Sequence, residues 1–370
     1  MNYDVVVVGS GLSGATCATV LAQKGLRVLV VEKNKHTAGQ IYDFKNEYGI
    51  TVHKYGPHIF HTKIKEVWDF LNQYTTFDNY QHHVLSFADG KFIPFPINRE
   101  TLNMVFGTTL TNDEVLPFLA KRVEQSTFKV PAESFRDVVV SQVGEELYTL
   151  FFESYTRKQW GTNPENLSPD LAGRIPVRSN GDCRYFADPY QGMPVGGYSA
   201  MINRMLEHPN IHLLLGCDFF EMRETFKEAK LLVYTGELDR FFDYKYGKLE
   251  YRSVKLNFQT YDKESFQPCA VVNYPNSYDY TRITEFKKLT SESSAKTTVC
   301  YEYPSADGIP FYTVPTKRNN DLRDSYMKEV ENLEKGGHTL FVGRLAEYKY
   351  YNMDAAVASA LHKIQKWEKK

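Results

Sequence analysis

The sequence predicts an α/β chain built on a Rossmann-like layer, with a helical insertion and an antiparallel sheet lying between its two ends. Three observations predict it. The stretch VVVVGSGLSG from Val5, the run RVLVVE ending at Glu32 and the run HTLFVGR near the far end all read as buried parallel strands. The first and last of these run into a glycine turn and then a helix. The middle of the chain changes texture twice, first to helical spacing and then to apolar/polar alternation.

Taken in order, residues 3–8 are rich in valine and alternate little, as a strand covered on both faces does. Residues Thr16 to Lys24 present Ala18, Val20, Leu21 and Ala22 for packing and read as a helix. Arg27 to Glu32 is the second buried strand. Strand, glycine turn, helix and strand within about 30 residues make the βαβ unit that gives a glycine motif its meaning. Residues 100–185 carry helical spacing, as in ESFRDVVVSQVGEELYTLFFESYTRKQW, and read as a mostly helical insertion. Residues 186–197 hold PYQGMPVGGY and read as loop, and Tyr198 to Leu206 as helix. Between 236 and 320, LEYRSVKLNFQ, CAVVNYP and TTVCYEYP alternate and end in turn signals, as antiparallel strands do. NMDAAVASALHKIQKW is a closing amphipathic helix. The chain leaves the nucleotide layer and returns to it, so the expected domains are discontinuous. They are 1–80 with 190–235 and 335–370 for the nucleotide, 100–185 as a helical domain with a mobile substrate loop, and 81–99 with 236–320 as an antiparallel substrate sheet.

Composition narrows the function. Of 370 residues 24% are charged and the formal net charge is −1, so there is no basic footprint for nucleic acid, and an anionic ligand must be gripped by local arginines. No apolar run approaches the roughly 20 residues of a membrane span and the first apolar run is too short for a signal peptide, so a cytoplasmic protein is expected. The five cysteines are dispersed without a CxxC pair and read as reduced thiols. No metal set is evident, since the HxxH of His58 and His61 has no further ligands at suitable spacing.

In GSGLSG, Gly9, Gly11 and Gly14 have the GxGxxG spacing. The first glycine makes the tight turn, the second lets the backbone approach a pyrophosphate, and the third lets helix pack against strand. Ser13 lies in the same turn. Glu32 ends the second strand, where its carboxylate can accept from ribose hydroxyls and disfavours a 2′-phosphate. The spacing does not separate NAD from FAD. The loop KNKHTAGQIYDF after the acid and the second glycine turn at Gly343 favour a flavin, whose length suits a second helix N-terminus.

Beyond these, VVVVGSGLSG, YGPHIFHT, FPIN, YTRKQWG, LAGRIPVR, RYFADPYQGMPVGGY, YTRITEFK, FYTVP and GRLAEYKYYNMD occur in order across nearly the whole chain. In these stretches the sequence resembles the bacterial type of the UDP-galactopyranose mutase family. The resemblance implies an isomerase holding FAD that works only with the flavin reduced. It implies a ring contraction of UDP-galactopyranose to UDP-galactofuranose, through an N5-flavin–sugar adduct with release and return of UDP. A homodimer, an external reductant such as NAD(P)H, and a product destined for cell-surface polysaccharide come with it. Two positions depart from the family. Ala38 precedes Gly39 where paired glycines are usual, and a methyl there is expected to need φ below zero. Asn352 stands where an aspartate is common.

The resemblance also assigns residues. Arg174 and Arg282 look like diphosphate ligands from opposite sides, Arg174 on a mobile loop; both would assist catalysis, together with His61 beside the flavin. Tyr155, Tyr185, Tyr312 and Tyr350 would donate phenols to phosphate or line the pocket. Trp160 with Thr156 would wall the sugar, and Phe151, Tyr185 and Phe186 would form a uracil platform. Asn273 is placed near uridine or phosphate and Arg252 beside the flavin–sugar region. The flavin would be held by Gly9, Gly11, Ser13, Gly14, Glu32, Gly39, Gln40, His58, Ile59, His61, Gly343, Arg344, Tyr350, Asn352 and Met353. Two alternatives stay open: a mutase accepting UDP-N-acetylgalactosamine, and an FAD oxidoreductase resembling amine oxidases. The oxidoreductase shares the opening motif but gives no reason for the two arginines.

Overall fold

The structure, a computed structural model, describes residues 3–174 and 176–369, and of Gly173 and Arg174 the backbone alone. Its first layer is a five-stranded parallel sheet in the order Thr339–Phe341, Leu231–Tyr234, Val5–Val8, Val28–Glu32, Ile211–Leu215. Alternate valines explain the valine-rich strands. Val5, Val7, Val28 and Val30 face the packed helices Leu12–Gln23 and Met353–Glu368, through Ala15, Ala18, Val357 and Ala360. Val6, Leu29 and Val31 face the opposite way, into a cluster with Phe241, Tyr326, Val330 and Phe341. With both faces buried, a polar residue in either position would be desolvated, so the strands read as continuous apolar runs.

The first helix begins at Leu12, four residues before the helical start expected at Thr16, because Gly11 is its N-cap and the turn feeds directly into it. The third glycine explains the close fit. A Cβ on Gly14 would lie 2.0 Å from the Gly9 carbonyl oxygen, so nothing larger than hydrogen passes between helix and strand.

The second layer is a seven-stranded sheet in the order Tyr312–Thr313, Tyr251–Tyr261, Thr297–Ser305, Arg282–Glu285, Val271–Asn273, Val84–Ala88, Lys91–Phe95. It departs from the expected antiparallel sheet at one place, where Val271–Asn273 pairs parallel with Val84–Ala88. The hairpin 84–95 enters from far upstream, and its direction is set by its own turn. Register puts Ser86, Asn273, Arg282 and Glu302 in one row across four strands. The helices Arg99–Phe106, Asn112–Glu124, Phe135–Tyr148 and Ser154–Trp160 pack beside this sheet, the last two joined by a π-helical turn at Thr149–Glu153.

Two further elements differ from the sequence reading. Tyr190–Gly192, read as loop, pairs antiparallel with Phe60–Thr62, a contact over some 130 residues that no local pattern reveals. The helix Lys317–Lys335 was not expected over most of its length. It is almost entirely charged or polar and buries only Asn319, Tyr326 and Val330, so its packing stripe is too thin to show as periodicity.

The two glycines of the first turn make contrasting predictions. Gly14→Ala forces helix from strand and is expected to cost about 3 kcal/mol in urea unfolding. Gly11 has φ −68° and its added Cβ would meet nothing closer than 3.8 Å, so Gly11→Ala should stay within about 1 kcal/mol of the parent. Equal losses from both would contradict this packing.

Candidate functional site

A cleft opens at the C-terminal end of the parallel strands, where doubly wound sheets bind ligands. Of the residues expected at the flavin, Gly9, Gly11, Ser13, Gly14, Glu32, Gly39, Gln40, His58, Gly343, Arg344, Asn352 and Met353 line it. Its walls are bare backbone: an added Cβ on Gly9 would sit 2.3 Å from Thr235 Oγ1, and one on Gly39 would sit 2.9 Å from the Gly11 Cα. A Cβ on Gly343 would reach within 2.7 Å of Ser13 Oγ, so the second glycine turn abuts the first. Two helix N-termini, at Leu12 and Met353, thus converge on one cleft, and the first has only a glycine at its cap. A cradle of this length, with free N–H groups at one end and a second helix start at the other, fits a flavin dinucleotide.

Ala38 overturns one expectation. It adopts φ 68°, not a negative φ, and is followed by Gly39 at φ 52°. The left-handed alanine costs about 1–2 kcal/mol. Burial of its methyl and the bond from its N–H to the Ser10 carbonyl (3.1 Å) hold it there. The backbone therefore takes the path that two glycines would take. Glu32 is buried and already satisfied: one oxygen accepts from the Ser10 N–H (2.8 Å) and hydroxyl (2.9 Å), the other from the Asn34 N–H (2.8 Å) and amide (2.7 Å). A ribose reaching this carboxylate shares its oxygens with Ser10 and Asn34. Tyr55, Thr235, Arg240 and the segment 217–220 also line the cleft and carry no motif that would have flagged them.

Ile59, His61 and Tyr350 lie outside that lining. Ile59 packs on the main core. His61 and Tyr350 belong to a second group of side chains, centred on Arg282. The Arg282 Nε donates to Glu302 Oε2 at 2.7 Å, and Glu302 is 3% exposed. No group among the described residues takes the two Nη nitrogens of Arg282. Burial opposes the charge, but the Glu302 carboxylate outweighs it and keeps the guanidinium ionised. The field of Arg282 reaches Tyr155, Tyr185 and Tyr312; burial nevertheless raises all three phenols, Tyr155 and Tyr312 to about 12, so they remain protonated donors. Trp160, Tyr312 and Tyr350 form a triangle with ring centroids 5.8–6.2 Å apart. The Arg344 guanidinium lies 5.4 Å from the rings of both Tyr312 and Tyr350 and donates to the carbonyls of Tyr351 and Phe311. Arg344 is therefore the joint between the two groups.

The aromatic end is arranged differently from the expected platform. Phe151 is 3% exposed, and Phe95 lies between it and Tyr185, at 6.2 and 6.3 Å. Phe186 stands edge-on to Tyr185 and stacks on His61 at 3.6 Å. The His61 Nδ1 pairs with Asp188 Oδ2 at 2.5 Å, which fixes the orientation of the ring. Asp188, Glu302, His82 and Phe95 escaped the sequence reading, because nothing in one chain's sequence states which strand faces which.

Other expected residues have mixed placements. Thr156 is buried on the helix that carries Tyr155 and Trp160. Asn273 sits in register beside Arg282. Arg252 pairs in register with Tyr312, but its Nε and one Nη donate to the Gln159 and Lys158 carbonyls, so it braces the end of the helix Ser154–Trp160. Arg174 ends the short turn Pro169–Arg174, and its side chain lies outside the described residues. His58 has its Nδ1 on the Gly56 carbonyl and so shares no partner with His61. Among the described residues no group of three or more His, Cys, Asp or Glu is placed to hold a metal, and no helix is long and apolar enough to cross a membrane.

Comparison with known proteins identifies the family. Residues 150–350 match the family model of UDP-galactopyranose mutase, and residues 7–74 match that of an NAD(P)-binding Rossmann-like domain. A probable UDP-galactopyranose mutase of Klebsiella pneumoniae is 37% identical over 367 residues, covering 97% of this chain and 93% of the relative. A dTDP-fucopyranose mutase of Escherichia coli is 35% identical over 371 residues, covering 98% and 97%. The crystal structure of a reduced UDP-galactopyranose mutase superposes with a TM-score of 0.77 over 98% of this chain and 95% of that one, at 14% identity, and so shares the fold.

Three histidines give a pH prediction. Burial lowers His53 to about 4 and His58 and His82 to about 3, against an ordinary value of 6.5. Below pH 6.5 the unfolded chain takes up protons that the folded chain refuses. Stability is therefore complete above 6.5 and falls as pH drops toward 3–4. At pH 5 the loss is about 2 kcal/mol for each histidine. Urea unfolding of the parent and of His82→Asn checks this: the parent should weaken from pH 7 to 5, and the variant by about 2 kcal/mol less. Identical slopes would contradict it.

Proposed function

The chain belongs to the UDP-galactopyranose mutase family, and from its site we propose that it interconverts UDP-galactopyranose and UDP-galactofuranose without net oxidation. The observation that carries this reading is Arg282. It is held charged by one buried carboxylate at Nε while no described residue takes its Nη fork, which suits two oxygens of a diphosphate.

In this reading Gly9, Gly11, Ser13, Gly14, Glu32, Gly39, Gln40, His58, Gly343, Arg344, Asn352 and Met353 hold FAD. Reduced FAD, when bound there, would supply a nucleophile for the anomeric carbon with no net change of its redox state. Arg282, with Arg174 closing from the other side, takes up the charge that builds on the departing UDP. Tyr155, Tyr185, Tyr312 and Tyr350 donate phenols to it, and Trp160 with Tyr312 and Tyr350 walls the sugar so that the released nucleotide returns to the same molecule. His61, fixed by Asp188 and Phe186, stands beside the reacting region in this reading. An external reductant, NAD(P)H in this reading, keeps the flavin reduced. We further infer a cytoplasmic homodimer whose product supplies a galactofuranose-bearing surface polysaccharide.

The similarity to a dTDP-fucopyranose mutase supports a second reading, in which the same chemistry acts on a dTDP-6-deoxysugar. One assay separates the readings. Dithionite-reduced protein is given UDP-galactofuranose, UDP-N-acetylgalactosamine or dTDP-fucopyranose, and the products are resolved by chromatography. Conversion of the galactose pair supports the first reading, and conversion of the fucose pair alone the second. Conversion of none of them sinks both. Arg282→Ala should lower turnover by roughly 10²–10³, and Arg282→Lys should not restore it, because a point charge lacks the fork.

A further inference from the structure

The loop that joins Asn273 to Arg282 is turned inside out around one side chain. Lys158, on the helix that carries Tyr155, Thr156 and Trp160, places its Nζ 2.7 Å from the Tyr274 carbonyl, 2.9 Å from Tyr278, 3.1 Å from Tyr280 and 3.3 Å from Asn276. Four alternate carbonyls of one seven-residue stretch thus converge on an ammonium, and no carboxylate among the described residues bonds it. The three tyrosine rings of that stretch pack on one another at 5.0–5.1 Å. Asn276 ties the same loop to the π-helical turn by donating to the Leu150 carbonyl at 2.9 Å. Burial lowers the lysine to about 8 against the pull of Asp279, so it stays charged at neutral pH.

We propose that Lys158 is a positioning residue, a tethered cation that closes the 274–280 loop and so sets Arg282 and Asn273 against Tyr155 and Trp160, and that truncating it leaves a site for a small monovalent cation. Four carbonyl dipoles aimed at one point repel one another unless a positive charge sits among them. Without it the loop opens, and its ends carry Arg282 and Asn273 out of line. Potassium, ammonium and methylammonium offer the missing charge at suitable size. Tetramethylammonium is charged but too large and has no N–H. The sugar chemistry in this inference rests on the proposed function, whereas the nucleotide-site geometry does not.

The test uses flavin-loaded Lys158→Ala purified in potassium buffer and then exchanged into tetramethylammonium chloride. UDP binding to the oxidised protein and conversion by the reduced protein are measured separately. UDP affinity should fall at least tenfold on exchange and return on titration with potassium or methylammonium at millimolar levels, with conversion following it. The parent protein should ignore the exchange. Unchanged affinity, or a loss that no small cation reverses in protein that keeps its flavin, overturns the proposal. If Lys158→Ala does not fold, Lys158→Gln carries the test. Its amide donates two hydrogens without charge, so potassium should strengthen its UDP binding, and indifference to potassium overturns the proposal. Restored UDP binding without conversion of any nucleotide sugar would leave Lys158 in place and remove the mutase reading instead.

Discussion

One buried ion pair, Arg282 on Glu302, organises the substrate side of this molecule. Taking a guanidinium out of water costs several kcal/mol unless a partner meets it with good geometry. The partner here comes from register: residues 282 and 302 face each other directly on neighbouring strands, and the backbone N–H of Thr281 bonds the Glu302 carbonyl at 2.9 Å. Because the pairing is through Nε, charge is kept in the pocket while the Nη face stays available. The buried phenols around it then act as donors, since burial raises their pKa values and none competes for the cation as a phenolate. In the proposed reading, a fixed cation, neutral donors and aromatic walls stabilise charge on a leaving diphosphate with little reorganisation.

Arg344 and an aromatic wall stand where the two layers meet. Arg344 follows the second glycine turn yet lies against Tyr312 and Tyr350, and Trp160 completes the wall from the helical segment. Arg252 and Lys158 act from opposite chemical sides on that segment: the first donates to carbonyls at the helix end, and the second carries a charge from the helix into carbonyls of the sheet loop. The helix bearing Tyr155 and Trp160 is thereby held to a strand and to a loop of the sheet at once. Such bracing lets side chains remote in sequence keep ångström-scale positions.

How much of this could be read in the sequence depended on distance along the chain. The glycine turn, the valine strands and Glu32 were legible because their logic is local: spacing and strand length fix where the cleft must be. The grouping of Tyr155, Trp160, Tyr312 and Tyr350 followed from the family resemblance and not from spacing, and the structure brings them together. What stayed hidden were the partners. Glu302, Asp188 and the carbonyls around Lys158 become neighbours only through strand register and a loop path. Ala38 was misjudged for a related reason. The sequence shows a Cβ where φ should be negative, while burial and the bond to Ser10 decide the conformation. The helix Lys317–Lys335 was missed because charge hides a stripe of three buried residues.

The central claim is that a nucleoside diphosphate leaves the anomeric carbon, is held by Arg282 and its phenol neighbours, and returns. Positional isotope exchange reads this directly. UDP-galactopyranose carrying ¹⁸O between C1 and the β-phosphorus is incubated with reduced protein, and the label is located by ³¹P NMR. The account predicts scrambling of ¹⁸O into the non-bridging β-positions at a rate that Arg282→Ala lowers at least a hundredfold. Retention of the label at the bridge while furanose accumulates would contradict it.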